Sequence, residues 1–162
     1  MATTTDERSE LEKAADAVLN QEITLKDLKN ISDEEMEAAY SVAYNFYQSG
    51  KYIDAERIFQ FLAFFDNLEP KYWLGLGGCR ELDKRYEKAA EAYMMCTLLD
   101  IKEPQAPIRA ARCFEAMNDL EAAEGALHIA IEWSSGDEKH DLLKEQAAAH
   151  LARLEQRTAK AS

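Results

Sequence analysis

Residues 70–93 read PKYWLGLGGCRELDKRYEKAAEAY, and they carry the clearest structural signal in the chain. Their apolar and small positions recur at one constant spacing, both upstream and downstream. Three alignments at this spacing are Ala55/Ala89/Ala123, Tyr52/Tyr86/Leu120 and Val42/Leu76/Ala110. Pro70 and Pro104 share one phase, and a proline is tolerated in the first turn of a helix. The spacing therefore predicts a repeated pair of helices.

A helix pair that recurs about every 34 residues is the tetratricopeptide pattern, and its small residues have a packing reason. Alanine or glycine at Ala43/Gly77/Ala111 and at Ala55/Ala89/Ala123 lets the two helices of a pair approach closely. One pair cannot bury its own apolar face, so copies must stack. We predict an all-α fold with three tandem repeats at 36–69, 70–103 and 104–137. N-terminal helices within 1–35 and a capping helix within 138–162, with a frayed tail after residue 157, should cover the two ends.

The start of two helices can be predicted upstream of the repeats. Thr24 precedes Asp27, and Ser32 precedes Glu35, by three residues. A hydroxyl followed three residues later by an acid is the capping-box pattern. A short helix should follow Thr24, and a longer one should follow Ser32.

Composition narrows the function. The 162 residues hold 19 Lys and Arg against 31 Asp and Glu, a net charge of −12, which argues against binding to nucleic acid or to an anionic membrane surface. Three cysteines cannot all pair within the chain, which favours a reducing compartment. Residues 1–7 have no basic or apolar region of a secretory signal. We expect a cytoplasmic protein that does not bind membranes directly.

Catalytic patterns are missing from the sequence. Cys79, Cys96 and Cys113 are widely spaced and form no Cys-x-x-Cys pair, and the histidines show no metal-ligand spacing. Residues 75–78 are not a phosphate loop, because they lack the Lys-Ser/Thr ending. We therefore expect no enzyme activity, no metal site and no cofactor.

The first helix of repeat one carries two stripes. At about 100° per residue, its core stripe comprises Ala39, Val42, Ala43 and Phe46. A second, aromatic stripe is formed by Tyr40, Tyr44 and Tyr47. Because the core side is already occupied, we expect the tyrosines to line the concave groove of the stack. Groove positions further along include Leu74, Gly78 and Ile108.

The second helix of repeat one also has surplus apolar residues. Ile58, Phe61 and Phe65 point away from the side that faces the first helix. Three large apolar groups on an outer face need cover. A dimer interface could supply it, together with the N-terminal stripe Leu11, Ala15, Val18 and Leu19. Cover by the chain's own N-terminus is the alternative.

Several segments together resemble the class II chaperones of type III secretion systems. They are Leu-Lys-Asp-Leu at 25–28, the tyrosine-bearing helix and turn at 39–52, residues 55–62 and 72–79, and Asp-Ile-Lys-Glu-Pro at 100–104. The resemblance covers about residues 20 to 135. The tetratricopeptide period alone would be unspecific, but the segment at 25–28 in front of the tyrosine helix is much more specific.

The resemblance implies a cytoplasmic chaperone that binds hydrophobic translocator proteins, often as a homodimer. It implies that an extended client segment of the Pro-x-Leu-x-x-Pro type lies in the concave groove. It also implies that Tyr52 joins Tyr40, Tyr44 and Tyr47 in aromatic pockets, with Leu74, Gly78 and Ile108 further along. The alternative is a tetratricopeptide scaffold or co-activator that acts on a transcription regulator.

Overall fold

The computed structural model describes residues 13, 17, 20 and 23–161, and it is built from helices. Within those residues there are eight α-helices and no strand, as the all-α prediction requires. The helices are α1 Leu25–Leu28, α2 Asp33–Gln48, α3 Tyr52–Phe65, α4 Pro70–Leu82, α5 Tyr86–Leu99, α6 Gln105–Ala116, α7 Leu120–Ser134 and α8 Asp141–Ala161. A 3-10 turn, Glu138–His140, leads into α8.

Both predicted capping boxes are present. The Thr24 backbone N–H donates to Asp27 Oδ2 at 2.9 Å, and the Asp27 N–H donates to Thr24 Oγ1 at 3.4 Å. Ser32 and Glu35 make the same reciprocal pair at 2.9 and 3.2 Å. These bonds satisfy N–H groups that a helix start otherwise leaves without a partner. They fix where α1 and α2 begin.

Three consecutive helix pairs turn in the same way. The second residue after the first helix of each pair has a positive φ angle. These residues are Gly50, Lys84 and Asn118, with φ angles of 77°, 59° and 61°. In each turn the next residue donates its backbone N–H to a carbonyl five residues earlier, at 2.9 Å. This is the left-handed C-terminal cap of a helix. The tetratricopeptide period is therefore present in a backbone turn as well as in the packing pattern.

Close packing explains the small residues. Ala43, Ala55, Ala89, Ala111 and Ala123 are completely buried. A Cβ atom added to Gly77 would lie 2.5 Å from the ring of Tyr93, and one added to Gly75 would lie 2.5 Å from the ring of Phe59. The rings of the second helices thus rest directly on the backbone of α4.

The core continues from the first pair to the end of the chain. Phe59 and Leu62 are central to its first part, and Tyr93 lies between the second and third pairs. The last part joins α6 and α7 to Ala147, Leu151 and Leu154 of α8. Helix α8 therefore packs against the last helix pair. It continues to Ala161, beyond residue 157, and the Thr158 hydroxyl donates to the Leu154 carbonyl at 2.8 Å, so residues 158–161 are helical rather than frayed.

One core prediction is wrong. Val42 was expected on the core stripe of α2, but 47% of its surface is exposed. Its counterparts Leu76 and Ala110 are buried, because each has an earlier helix pair to pack against. Helix α2 belongs to the first pair, so no earlier pair covers that side among the residues that the structure describes.

A buried carboxylate ties the first pair to the second. Glu56 of α3 is 7% exposed and accepts a hydrogen bond from Arg80 Nε at 2.9 Å and a close one from Arg85. Burial alone would raise the pKa of Glu56, but the two guanidinium groups outweigh it and hold the pKa below its ordinary value. This network links α3 to α4 through Arg80 and to the start of α5 through Arg85. None of the described helices has the length and apolarity that a membrane span requires.

Candidate functional site

The first helices of the three pairs line one groove. Helix α2 contributes Tyr40, Tyr44 and Tyr47, α4 contributes Lys71, Leu74, Gly75 and Gly78, and α6 contributes Arg109. Phe59 of α3 closes the bottom of a cavity of about 120 Å³ between them. We call this set the aromatic groove. Five of the seven residues predicted from the sequence to bind peptide are brought together here.

The tyrosines form the wall of the aromatic groove on α2. Tyr40 and Tyr44 are stacked, with ring centroids 6.3 Å apart, and Tyr40 also contacts Phe59 edge-on at 5.9 Å. Tyr40 is half-buried, whereas Tyr44 is 47% exposed. Tyr44 therefore presents a large ring to solvent that is already held in place by its neighbour. A ring of this kind can receive an apolar side chain or a proline at little entropic cost.

Gly78 shapes the opposite wall. A Cβ atom at this position would lie 3.2 Å from Cε2 of Tyr47, which is tighter than ordinary contact. Because Gly78 has no side chain, the ring of Tyr47 packs directly against the backbone of α4. Leu74 lines the groove one turn earlier on α4.

Cations stand at both ends of the aromatic groove. Lys71 Nζ lies 4.6 Å from the ring centroid of Tyr40 and 2.6 Å from Glu37 Oε2. Burial lowers the pKa of Lys71, but the hydrogen bond to Glu37 and the surrounding negative charge together outweigh it, so the pKa lies above its ordinary value. Lys71 therefore stays charged at neutral pH.

Arg109 occupies the other end of the groove. Its Nη1 donates to the Tyr93 hydroxyl at 3.3 Å, and that hydroxyl donates to Glu81 Oε2 at 2.5 Å. Burial lowers the pKa of Arg109, and Tyr93 and Glu81 raise it further than burial lowers it. The arginine is thus positioned by a buried network and remains cationic. An apolar groove between two cations suits a ligand with apolar side chains and exposed carbonyl or carboxylate oxygens.

Two predicted groove residues lie elsewhere. Tyr52 starts α3 and packs edge-on against Tyr47, with centroids 5.7 Å apart, so it supports the groove from behind. Ile108 is 4% exposed and belongs to the core between α6, α7 and α8. Because α8 packs over that side of α6, the groove there is lined by the next residue, Arg109. The peptide-binding role of both residues remains a prediction.

Four groove residues, Phe59, Lys71, Gly75 and Arg109, are not predicted from the sequence. Phe59 belongs to the first core cluster as well as to the groove. The phase of the tyrosine stripe, carried to the next repeats, leads to Leu74, Gly78 and Ile108 and passes over Lys71 and Arg109. Gly75 and Arg109 occupy the same phase in successive repeats, and that phase could have indicated the arginine.

An apolar surface lies on the second-helix side. Phe61 and Phe64 are 47% and 65% exposed, and both contact Phe65, with ring centroids 4.6 and 5.3 Å apart. Phe64 also borders a larger cavity of about 570 Å³ with Trp73 and Met95. We call Phe61, Phe64 and Phe65 the phenylalanine surface. Ile58 is half-buried against the first core, and the predicted partners Leu11, Ala15, Val18 and Leu19 lie outside the described residues.

The cysteines are packed as apolar residues. Cys79, Cys96 and Cys113 are buried free thiols, and burial raises the pKa of each to about 12. No group of three or more His, Cys, Asp or Glu side chains that could hold a metal ion lies within the residues that the structure describes.

The chain is similar in sequence to known proteins. The sequence profile of the tetratricopeptide repeat matches residues 36–67. Over 132 residues the chain is 38% identical to low calcium response locus protein H of Yersinia pestis, and the match covers 82% of this chain and 79% of that protein.

Several solved structures share this helical fold over most of the chain. A chain in a type III secretion complex from Aeromonas hydrophila is 30% identical, with a TM-score of 0.86 over 91% of this chain and 98% of that one. The type III secretion chaperone SycD of Yersinia enterocolitica, solved with a peptide of the translocator YopD, is 35% identical. Its TM-score is 0.75 over 79% of this chain and 98% of that one. SycD is also known as an alternative dimer, with a TM-score of 0.74 over 79% and 97% of the two chains and the same identity.

Proposed function

Because this chain belongs to the class II translocator chaperones of type III secretion systems, we propose that it binds an extended segment of a hydrophobic translocator in the aromatic groove. Binding keeps the translocator soluble and apart from its partners before export. The chaperone acts in the bacterial cytoplasm and catalyses no reaction. The observation that carries this proposal is Tyr44, a 47% exposed ring that stacks on Tyr40 in the wall of the aromatic groove.

The groove suits an extended, proline-containing segment. Prolines fix the backbone before binding, so less conformational entropy is lost on docking. Aromatic grooves that accept such segments are a recurrent mode of peptide recognition. Lys71 and Arg109 stand where they can donate to carbonyl oxygens that the client backbone leaves without a partner.

The phenylalanine surface supports a second part of the proposal, self-association. Phe61 and Phe64 leave two aromatic rings exposed on either side of Phe65, and a cluster of exposed apolar side chains can mark an interaction surface. We propose that two copies of the chain cover it. The predicted contribution of Leu11, Ala15, Val18 and Leu19 to that interface is part of the same proposal.

Tyr44→Ala tests the groove. A central aromatic anchor contributes about 2 kcal/mol, which is roughly 30-fold in affinity. We expect the variant to bind a Pro-x-Leu-x-x-Pro peptide from a translocator about that much more weakly, with little change in melting temperature. Calorimetric titration and thermal melts measure the two quantities.

Leu62→Ala is the matched control. Leu62 is completely buried and does not line the groove, so its truncation should cost about 2–5 kcal/mol of stability and leave the affinity of the folded protein unchanged. A Tyr44→Ala protein that binds like the wild type would refute the groove assignment.

A further inference from the structure

A second cavity continues the groove beyond Arg109. Helix α6 supplies Ile108 and Arg112, and α8 supplies Gln146, Ala149, His150 and Arg153, around a volume of about 460 Å³. We call it the distal cavity. Arg109 and Arg112 are one helical turn apart on α6, so the aromatic groove and the distal cavity are neighbouring parts of one face.

The distal cavity is basic although the protein is acidic. Glu115 accepts hydrogen bonds from Arg153 at 3.2 Å and from Arg157, and it contacts His150 Nε2 at 2.6 Å. That one carboxylate therefore faces two arginines of α8. Arg112 adds a third guanidinium, and it forms no ion pair with any residue that the structure describes. The net charge of the whole chain is −12, so this excess of positive charge is local.

Arg112 has the properties of a ligand-binding group. It is exposed at the rim of a cavity whose floor, Ile108, is apolar. A guanidinium with free N–H groups binds a carboxylate in a bidentate manner, and such charge-assisted bonds are stronger than neutral ones. A carboxylate at Arg112 would also be attracted by Arg153.

The distance from Tyr44 to Arg112 sets the length of client segment that could reach both. Tyr44, Gly78 and Arg112 occupy the same phase in three successive repeats. Neighbouring packed helices are about 10 Å apart, so Tyr44 and Arg112 are separated by roughly 20 Å. An extended proline-type segment rises about 3.1 Å per residue, so some six residues span that distance.

We propose that the distal cavity is a carboxylate-recognition subsite for the same client segment. It selects clients that carry an Asp or Glu about six residues from the apolar side chain seated beside Tyr44. Arg112 is the specificity-determining residue, and Arg153 assists it. This inference rests on the proposed function, since it requires a client segment in the aromatic groove.

Synthetic peptides provide the test. Each contains Pro-x-Leu-x-x-Pro and a Glu, Gln or Lys six residues before or after the leucine. Titration calorimetry at low and high salt measures their affinity for the full chain. For one of the two placements, we expect the Glu peptide to bind about three- to ten-fold more tightly than the Gln peptide, and added salt should reduce the difference.

Substitutions at Arg112 then assign the effect. Arg112→Gln should abolish the preference for Glu, and Arg112→Glu should reverse it in favour of the Lys peptide. Arg57→Gln is the matched control, because Arg57 is a 75% exposed arginine side chain on α3 away from the groove. Its preference should equal that of the wild type.

The outcomes separate the two proposals. Tyr44→Ala should weaken every peptide by the same factor and leave the Glu preference intact. If Tyr44→Ala weakens binding but Glu and Gln peptides bind the wild type equally in both placements, the distal subsite is refuted and the groove stands. If no peptide binds, or Tyr44→Ala has no effect, the groove assignment fails and the subsite fails with it. An equal loss of preference in Arg57→Gln would also overturn the role of Arg112.

Discussion

The ring of Tyr47 lies against the bare backbone of Gly78, only 3.2 Å from where a Cβ atom would be. This contact sets the width of the aromatic groove. Gly78 is buried, but Tyr47 is only partly buried and lines the groove, so a shift of the Tyr47 ring changes the shape of the groove.

Gly78→Ala should impair binding without unfolding the protein. The added methyl group forces Tyr47 to move away from α4 by a few tenths of an ångström and so changes the shape of the groove, whereas alanine favours the helix over glycine. We expect a loss of about 1–2 kcal/mol in client-peptide binding, on the order of 10-fold, and an almost unchanged melting temperature. Peptide titration and thermal melts check both expectations.

The control for Gly78 is another helical glycine. Gly125 of α7 has nothing within 4 Å of its absent side chain. Gly125→Ala should therefore raise stability by about 0.5–1 kcal/mol and leave binding unchanged. Equal affinities for the two alanine variants would show that the contact between Tyr47 and Gly78 does not shape the client site.

Lys84→Gly should stabilise the protein. Lys84 follows α4 and has a φ of 59°. This left-handed conformation costs a residue with a side chain about 1–2 kcal/mol, whereas it costs glycine little. Part of this gain is lost because glycine has greater freedom in the unfolded chain. We expect a net gain of about 0.5–1 kcal/mol, which is roughly 1–4 °C in melting temperature for a chain of this size.

The converse substitution can be made in the first repeat, where glycine occupies the position that Lys84 has in the second. Gly50 has a φ of 77° and open space around it, so Gly50→Ala changes the backbone preference without creating a clash. Its melting temperature should fall. If the melting temperature of Lys84→Gly also falls, the positive φ at residue 84 does not destabilise the protein.

Phe64→Glu should disrupt self-association. The substitution places a charge in the phenylalanine surface, where it would have to be desolvated between two copies. We expect the molar mass from light scattering to fall from that of a dimer to that of a monomer at tens of micromolar. The fold should be retained, because Phe64 is 65% exposed.

Leu98→Glu is the matched control for Phe64. Leu98 occupies the same phase in the next repeat and is 68% exposed. It should leave the dimer intact. A wild-type monomer at this concentration would contradict the proposed self-association.

Glu115→Gln should loosen the cap, and the effect should depend on pH. Burial raises the pKa of Glu115, but the hydrogen bond from His150 and the charges of Arg153 and Arg157 outweigh it, so the pKa lies below its ordinary value of 4.5. A carboxyl with a lowered pKa stabilises the fold above its ordinary pKa, and the stabilisation is lost as the pH falls through the folded value. The difference between wild type and variant, about 1 kcal/mol at pH 7, should narrow below pH 4.5. Melts of Glu145→Gln, an exposed acid on α8, should show no such difference.

The repeat and the helix N-caps could be predicted from the sequence because both depend on local spacing. Ala55, Ala89 and Ala123 must be small wherever two helices touch, and Thr24 and Ser32 cap helices through residues three positions away. The tyrosine stripe was also predictable, since the core side of α2 was visible in the same pattern.

Positions that depend on neighbouring helices were less predictable. The repeat spacing places Ile108 in phase with Leu74, but it cannot show that α8 covers Ile108 and leaves Arg109 to line the groove. A helical wheel favoured Ile58 and Phe65 over Phe64. The depth to which α3 packs against α2 and α4 decides which of these side chains stays exposed.

The buried cysteines make the protein a convenient carrier for a single fluorophore. Each thiol is at most 3% exposed, and burial raises its pKa to about 12, so the thiols stay protonated and unreactive at pH 7. A cysteine introduced at an exposed groove position would therefore react with maleimide while the three native ones stay unlabelled. Arrival of a client could then be followed by a dye at one chosen place, in the wild-type background of thiols.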